Sequence, residues 1–186
     1  MVYLPDAMKT TEFDSSDEEV GEEEQQQQPP LEISWLPLTV VECSQFLGIC
    51  ALPGCRYKDI RRNLQRDMGE LQNQGVQDVF VFYGGVPELE QCCQILEELQ
   101  LSIHDNRKTV VHCYGGLGRS ALIAACLLLK LSVTMTPGKA IDILRQLRGG
   151  GAIQTVKQYN FLHEFREKYA AHQESKDVPL ERSLSR

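Results

Sequence analysis

The sequence predicts an α/β domain with a mostly parallel central sheet flanked by helices. Short apolar runs alternate with segments of helical periodicity along most of the chain, which is the order of elements in such domains. Residues 76–82 are almost continuously apolar, as strands buried on both faces of a parallel sheet are. The β-branched run that ends at His112 leads through a glycine-rich turn into a long apolar segment. Because ligands of parallel sheets bind at the carboxyl ends of strands, this turn is the expected site.

Four segments are predicted to form strands. Residues 31–36 alternate between polar and apolar side chains, and residues 46–51 form a largely apolar second run. The third strand is predicted over residues 76–82. The fourth covers residues 108–112 and places Cys113 at its carboxyl end.

Two helices are predicted before that fourth strand. The first spans residues 58–74, and its predicted buried face consists of apolar residues at helical spacing: Ile60, Leu64, Met68 and Leu71. The second has Pro87 in its first turn, where proline is tolerated. Its predicted buried face is a second apolar stripe: Leu89, Cys92, Cys93, Leu96 and Leu99.

Three helices are predicted after the glycine-rich turn. The first of these begins at about Arg119. The next begins at Thr136-Pro137, a cap followed by a first-turn proline, and runs through Leu147. The last covers residues 154–171, with three residues expected to face inward: Tyr159, Leu162 and Phe165.

The charge distribution divides the chain into three parts. Residues 1–30 contain nine acidic residues and one basic residue, so we expect a disordered acidic tail. Residues 31–172 are predicted to form the domain, and residues 173–186 a flexible C-terminal tail.

Composition excludes several classes of function. The net charge is −7, but residues 31–186 hold 18 bases and 17 acids, which gives no basic surface for nucleic acid. The apolar run over residues 121–129 is too short to span a membrane. Seven cysteines without paired CxxC or Cys/His zinc spacing predict reduced thiols, no metal and no cofactor. We expect an intracellular protein that is cytoplasmic, perinuclear or nuclear.

The segment from Cys113 to Ser120 combines a thiol, an anion cradle and a guanidinium. The loop between Cys113 and Arg119 contains three glycines and consists of Tyr114, Gly115, Gly116, Leu117 and Gly118. Glycines allow successive backbone N–H groups to point at one anion, and a helix N-terminus adds its positive end. Those dipoles and Arg119 favour a thiolate at Cys113, and Arg119 can bind two oxygens of one phosphate. A buried cysteine in an ordinary strand–helix turn is the alternative.

This loop resembles the signature of the cysteine-dependent protein phosphatases. The absence of lysine in the loop favours protein substrates over phosphoinositides. Further segments extend the resemblance to the kinase-associated type of dual-specificity phosphatase: residues 12–19, 33–36, 43–48, 50–55, 112–120 and 151–160. The resemblance implies an enzyme that removes phosphate from the activation-loop threonine of phosphorylated cyclin-dependent kinases, and from phosphotyrosine, and so regulates the cell cycle.

The resemblance also implies a role for each site residue. Cys113 would be the nucleophile, Arg119 the phosphate clamp, and the amides of residues 114–119 the donors to the phosphate oxygens. Ser120 would hydrogen-bond the thiolate, and His112 would fix the loop. Gln154 is a candidate for positioning the hydrolytic water, although a helix N-terminus would also explain it.

The sequence departs from the family just before Pro87. In the family, a catalytic aspartate follows a further helix and strand and stands before a Gly-Gly-x-Pro turn. Here Tyr83 stands in that place, and Gly84-Gly85-Val86-Pro87 follows at once. A helix, an edge strand and the general acid are therefore expected to be missing. Glu88 is a candidate substitute acid, although an acidic residue there also favours the helix N-terminus.

Two consequences stay open at this stage. The chain either folds with an exposed sheet edge or loses core that its helices need. The protein is either an active phosphatase or an acid-deficient variant that binds or traps phosphorylated kinase. A rhodanese-like or arsenate-reducing cysteine enzyme fits the loop but not the wider resemblance.

Overall fold

The structure is a computed structural model and describes residues 28–83 and 85–176. Its central sheet contains four strands: β1 (Ile33–Pro37), β2 (Phe46–Cys50), β5 (Asp78–Val81) and β6 (Thr109–His112). Their spatial order is β1-β2-β6-β5. Both β2 and β5 pair in parallel with β6, whereas β1 pairs antiparallel with β2. The four predicted strands and the mostly parallel sheet are confirmed.

The predicted first helix is wrong in its first turns. Residues 56–61 form a separate hairpin of β3 (Arg56–Tyr57) and β4 (Ile60–Arg61), and helix α1 covers only Leu64–Asn73. The helix begins at this point because the Asn63 side chain accepts a hydrogen bond from the Arg66 amide at 3.0 Å, which is an N-cap.

The predicted buried face of α1 is also wrong, except at Leu71. Ile60, Leu64 and Met68 are exposed. The inward position is taken by Asp67, which accepts hydrogen bonds from the Gly54 amide at 2.8 Å and from the Arg62 guanidinium at 2.7 and 2.9 Å. A buried carboxylate with these partners is stable, and spacing of apolar residues does not reveal it.

The remaining helices match the predicted order: α2 (Leu89–His104), α3 (Arg119–Leu131), α4 (Pro137–Arg148) and α5 (Val156–Lys176). Thr136 caps α4 as predicted, since its hydroxyl accepts a hydrogen bond from the Lys139 amide at 3.2 Å. Pro87 lies before the first turn of α2, because Glu88 is the N-cap residue.

Two predictions about the C-terminal part need correction. Tyr159 is half exposed, whereas Leu162 and Phe165 are buried as expected. Helix α5 continues through Lys176, beyond the domain end predicted at residue 172. Residues 177–186 of the predicted tail, and residues 1–27 of the predicted acidic tail, lie outside the described residues.

Helix α3 forms the centre of the core. Residues 120–129 are all buried, and the helix contacts α2, α4, α5 and the sheet. A helix enclosed on all sides is apolar around its whole circumference, which explains the uninterrupted apolar run. No helix in the described part of the chain is long and apolar enough to cross a membrane.

Strand β5 forms one edge of the sheet. Among the described residues its only partner strand is β6, and Val81 is exposed. That a further edge strand is missing beside β5 stays a prediction. The core is nevertheless closed, because α2 returns from β5 to β6 and buries Cys92, Cys93, Leu96 and Leu99.

Candidate active site

The loop after β6 surrounds the thiol of Cys113. Cys113 follows the last residue of β6 directly, and α3 begins at Arg119. The Gly116 amide donates a hydrogen bond to Cys113 Sγ at 3.2 Å. Gly116 has a φ of +69°, and a Cβ at this position would lie 2.6 Å from the Cys50 carbonyl oxygen. Only glycine fits this backbone, so the predicted use of glycine in the cradle has a direct steric basis here.

A cavity of about 370 Å³ opens above the thiol. It is lined by Cys113, Tyr114, Gly115, Leu117, Gly118, Arg119, Gln154 and Gln158. The structure thus brings the predicted cysteine, four of the five loop residues, the arginine and Gln154 to one place. Gly116 does not line the cavity, but its amide donates the hydrogen bond to Cys113 Sγ.

The surroundings of Cys113 stabilise its thiolate. Burial alone would raise the pKa of the thiol. The Ser120 hydroxyl and amide, the Gly116 amide and the charge of Arg119 outweigh burial, so the pKa lies below its ordinary value of 9.0. A lowered pKa raises the fraction of thiolate at neutral pH, and the thiolate is the nucleophilic form of cysteine.

Ser120 is fully buried next to the thiol. Its Oγ has no hydrogen-bond partner of ordinary geometry among the described residues. It nevertheless acts electrostatically on Cys113 and lowers the pKa of the thiol. An otherwise unpartnered hydroxyl beside Sγ is available to donate to a thiolate, which is the position that the predicted role requires.

Arg119 links the loop to the end of β5. Its Nη1 donates a hydrogen bond to the Phe82 carbonyl oxygen at 3.0 Å. A guanidinium has five N–H donors, so this bond fixes its plane and leaves others to face the cavity. Arg119 also lines a second cavity of about 160 Å³, whose wall includes Phe82, Tyr83 and Ile123.

His112 is buried at the end of β6. Burial lowers its pKa below the ordinary value of 6.5, and a backbone hydrogen bond with Cys113 opposes this shift only partly. The ring is therefore neutral at pH 7 and adds no positive charge to the cradle.

Gln158 is a site residue that the sequence analysis missed. Its Oε1 accepts hydrogen bonds from the amides of Gln154 at 2.8 Å and Thr155 at 3.2 Å, and its own amide donates to Thr155 Oγ1 at 3.2 Å. This is a capping box, and the pattern Thr-x-x-Gln could have revealed it. With Oε1 occupied by these amides, the Nε2 donor lies toward Gly118 and the cavity.

The segment before α5 is tied to the loop by backbone contacts. The Ile153 amide donates to the Leu117 carbonyl oxygen at 3.0 Å, and Ile153 has a φ of +58°. A β-branched residue in this conformation is strained and persists only where its surroundings hold it. The contact places Gln154 on the cavity wall, where the predicted water-positioning role requires it.

Within residues 28–83 and 85–176, the structure does not bring an acid to Cys113. No aspartate or glutamate is among the residues that line either cavity. The Tyr83 side chain is 82% exposed, and Glu88 is exposed at the N-terminus of α2. The role of Glu88 as a substitute acid stays a prediction, and this position gives it no support. No group of three or more metal-ligating side chains exists within residues 28–83 and 85–176.

We expect iodoacetamide at neutral pH to modify Cys113 before the other cysteines. Its pKa is lowered, whereas burial raises the pKa of Cys50 to about 12, so Cys50 carries almost no thiolate at pH 7. Below the pKa of Cys113, each unit of falling pH should slow its labelling about tenfold. Mass spectrometry of the tryptic peptide spanning residues 109–119, which contains one cysteine, measures this rate.

Cys43 is the control for access, because it is more exposed than Cys113. Faster labelling of Cys43 would show that access, and not ionisation, determines reactivity. Peroxide at neutral pH should block labelling of Cys113, since thiolates oxidise fastest.

Comparisons with known proteins show the family of the chain. The family model for cyclin-dependent kinase inhibitor 3 matches residues 2–84 and 83–141. Curated relatives named cyclin-dependent kinase inhibitor 3 are 53% identical in Sus scrofa and 52% identical in Homo sapiens, each over 98% of this chain and 99% of the relative.

Two solved structures support the fold. Kinase associated phosphatase with its catalytic-site cysteine replaced by serine matches with a TM-score of 0.76 and 52% identity, over 78% of this chain and 99% of that chain. The phosphatase Tk-PTP in its active form has a TM-score of 0.54 at 21% identity, over 65% of this chain and 91% of that chain, and shows the fold alone.

The matches also locate a gap. The alignments with the curated relatives extend over 213 residues, which is 27 more than the 186 in this chain. The two segments of the family match meet at residues 83 and 84, where the sequence predicts the missing helix and strand. The fold, the loop and the extent of these matches show that the chain belongs to the cyclin-dependent kinase inhibitor 3 family and has the dual-specificity phosphatase fold.

Proposed function

We propose that this protein hydrolyses phosphate esters through a phosphocysteine intermediate, with phosphothreonine and phosphotyrosine of cyclin-dependent kinases as substrates. The observation that carries the proposal is the Gly116 amide on Cys113 Sγ, at 3.2 Å, in a cavity shared with Arg119. The names of the relatives supply the kinase. A role in the cell cycle and a cytoplasmic, perinuclear or nuclear location belong to the same proposal. Recovery of the protein only from a membrane fraction would contradict the location.

The proposed reaction has two steps. The Cys113 thiolate attacks phosphorus, the bond from phosphorus to the ester oxygen breaks, and that oxygen leaves as an oxyanion, which then takes a proton from water. Loop amides and Arg119 stabilise the charge on the transferred phosphoryl oxygens. Water then attacks phosphorus, with Gln154 as its positioning residue, and releases inorganic phosphate and the thiolate, which Ser120 stabilises by a hydrogen bond.

A Cys113→Ser variant tests the binding part of this proposal. It retains the loop amides and Arg119 but cannot form the intermediate. We expect it to bind threonine-phosphorylated kinase about 10–100-fold more tightly than unphosphorylated kinase, because phosphate contacts to charged donors are strong hydrogen bonds. The variant Cys113→Ser with Arg119→Met should lose most of this preference. Equal affinity of Cys113→Ser for both forms of the kinase would refute the proposal.

A second function is favoured by the walls of both cavities, to which the described part of the chain contributes no carboxylate. Without an acid, the protein would hold phosphorylated kinase and turn it over poorly. Intact-mass measurement after incubation with phosphorylated kinase distinguishes the two. A phosphate adduct on Cys113 supports trapping with slow hydrolysis, and an unmodified protein with released phosphate supports the enzyme.

A further inference from the structure

Arg148 contacts the loop between Cys113 and Arg119 and does not line the cavity above Cys113. It is the last residue of α4. Its Nη2 donates a hydrogen bond to the Gly115 carbonyl oxygen at 3.3 Å, and its Nη1 donates to Ser34 Oγ in β1 at 3.0 Å. A longer contact of 3.4 Å joins Nη1 to the Ile49 carbonyl oxygen in β2. One side chain thus connects the loop to two strands and a helix.

The bond to Gly115 fixes one particular peptide group. The carbonyl of Gly115 and the N–H of Gly116 belong to the same peptide, and no peptide bond in the described chain is cis. In a planar trans peptide these two groups point in opposite directions. Arg148 therefore holds one side of the peptide, and Cys113 Sγ accepts the hydrogen bond from the other side.

Arg148 and Cys50 also approach Gly116 closely. A Cβ on Gly116 would lie 2.8 Å from Arg148 Nη2 and 2.6 Å from the Cys50 carbonyl oxygen. The guanidinium thus packs directly against the loop as well as bonding to it. A cation at a carbonyl oxygen also polarises the peptide and makes its N–H a better donor.

We propose that Arg148 is a positioning residue that holds the Gly115–Gly116 peptide with its N–H directed at Cys113 Sγ. Without Arg148 the peptide can rotate, and the thiolate loses a hydrogen bond that it needs in the ground state and as a leaving group. The anchor is Ser34, so the outermost antiparallel strand contributes to the orientation of the loop. The inference rests on Cys113 being the nucleophile of the proposed reaction.

Arg148→Met and Arg148→Lys test this role. The measured quantity is the pH at which Cys113 labelling by iodoacetamide is half-maximal, followed on the peptide spanning residues 109–119. We expect Arg148→Met to raise this midpoint by about one pH unit, the size of a lost hydrogen bond to a charged group. Arg148→Lys should raise it less, because an ammonium keeps the charge but cannot reach both Gly115 and Ser34 with a fixed fork.

Lys139→Met is the matched control. It removes a cation from the same helix at an exposed position, and should leave the midpoint unchanged. An unchanged midpoint in a folded Arg148→Met protein would overturn the proposal, as would an equal rise in Lys139→Met. If Arg148→Met does not fold, the midpoint of Arg148→Lys decides in the same way. Labelling reports ionisation of the thiol without turnover, so this result is independent of whether any phosphate ester is hydrolysed.

Discussion

An activated aryl phosphate should be hydrolysed in a Cys113-dependent way, and threonine-phosphorylated kinase far more slowly. An aryl oxide with electron-withdrawing groups leaves without a proton, whereas a threonine alkoxide needs one. No carboxylate of the described residues lines the cavity, and general acid catalysis contributes about 10²–10⁴-fold. Relative to a phosphatase with its acid, we therefore expect a loss of that size on phosphothreonine and little loss on the aryl ester.

The measurement is a paired determination of kcat/KM on both substrates with one protein preparation. Cys113→Ser provides the blank for each substrate. A series of aryl phosphates with leaving groups of rising pKa should give steeply falling rates, because the leaving oxygen receives no proton in the transition state. Comparable rates on the aryl ester and the kinase would show that a substitute acid exists.

The variant Glu88→Gln tests whether Glu88 is that substitute acid. Glu88 lies at the N-terminus of α2 and does not line the cavity, so the substitution should leave both rates unchanged. A selective loss on the kinase would assign the proton to Glu88 after a movement of the segment before α2. Loss on both substrates would indicate a structural effect of the substitution.

Gly116→Ala should remove the phosphate site. A side chain at φ +69° costs about 1–3 kcal/mol, and contacts of 2.6 and 2.8 Å with Cys50 and Arg148 add a cost of similar size. Because the Cys50 contact is with backbone, we expect the loop to relieve it by rotating the Gly115–Gly116 peptide, which takes the amide away from Cys113 Sγ. We expect a free energy of unfolding lower by about 3 kcal/mol and loss of aryl phosphate hydrolysis by about 10²-fold or more.

Gly115→Ala is the control for the stability part of this prediction. A Cβ at Gly115 meets no atom within 4 Å, and Gly115 is not in the left-handed region. Urea unfolding should therefore place Gly115→Ala close to the unsubstituted protein and Gly116→Ala well below it. Equal stability of the two variants would show that the loop accepts a side chain at Gly116 and that its glycine is not a steric requirement.

The strand–loop–helix unit around Cys113 was predictable because its signals are local. A β-branched strand, a glycine-rich turn and an apolar helix follow one another within residues 108–131, and each signal acts on its own few residues. The structure places Cys113, Arg119 and the loop as this order requires. The break at Tyr83 was predicted only by comparing the order of strands and turns with that of the resembled family.

The prediction of the first helix was wrong because contacts beyond the local pattern determine where it begins. Counting apolar residues assigned Ile60 to a helix, but the antiparallel pairing of residues 56–57 with 60–61 and the cap at Asn63 determine where α1 begins. Its inward side chain is Asp67, which is stable there only because Arg62 and the Gly54 amide satisfy its oxygens. Periodicity carries no information about such partners.

The sequence by itself determined the family, through its resemblance, and the strand–loop–helix unit around Cys113, whereas the absence of the usual acid segment stays a prediction. Only the tertiary structure decided which distant residues complete the site. Gln158 reaches the cavity from α5, and Arg148 meets Gly115 across 33 positions of the chain. These contacts depend on how α4 and α5 pack against α3 and the sheet, and packing is set by the shapes of many side chains together, which no local pattern encodes.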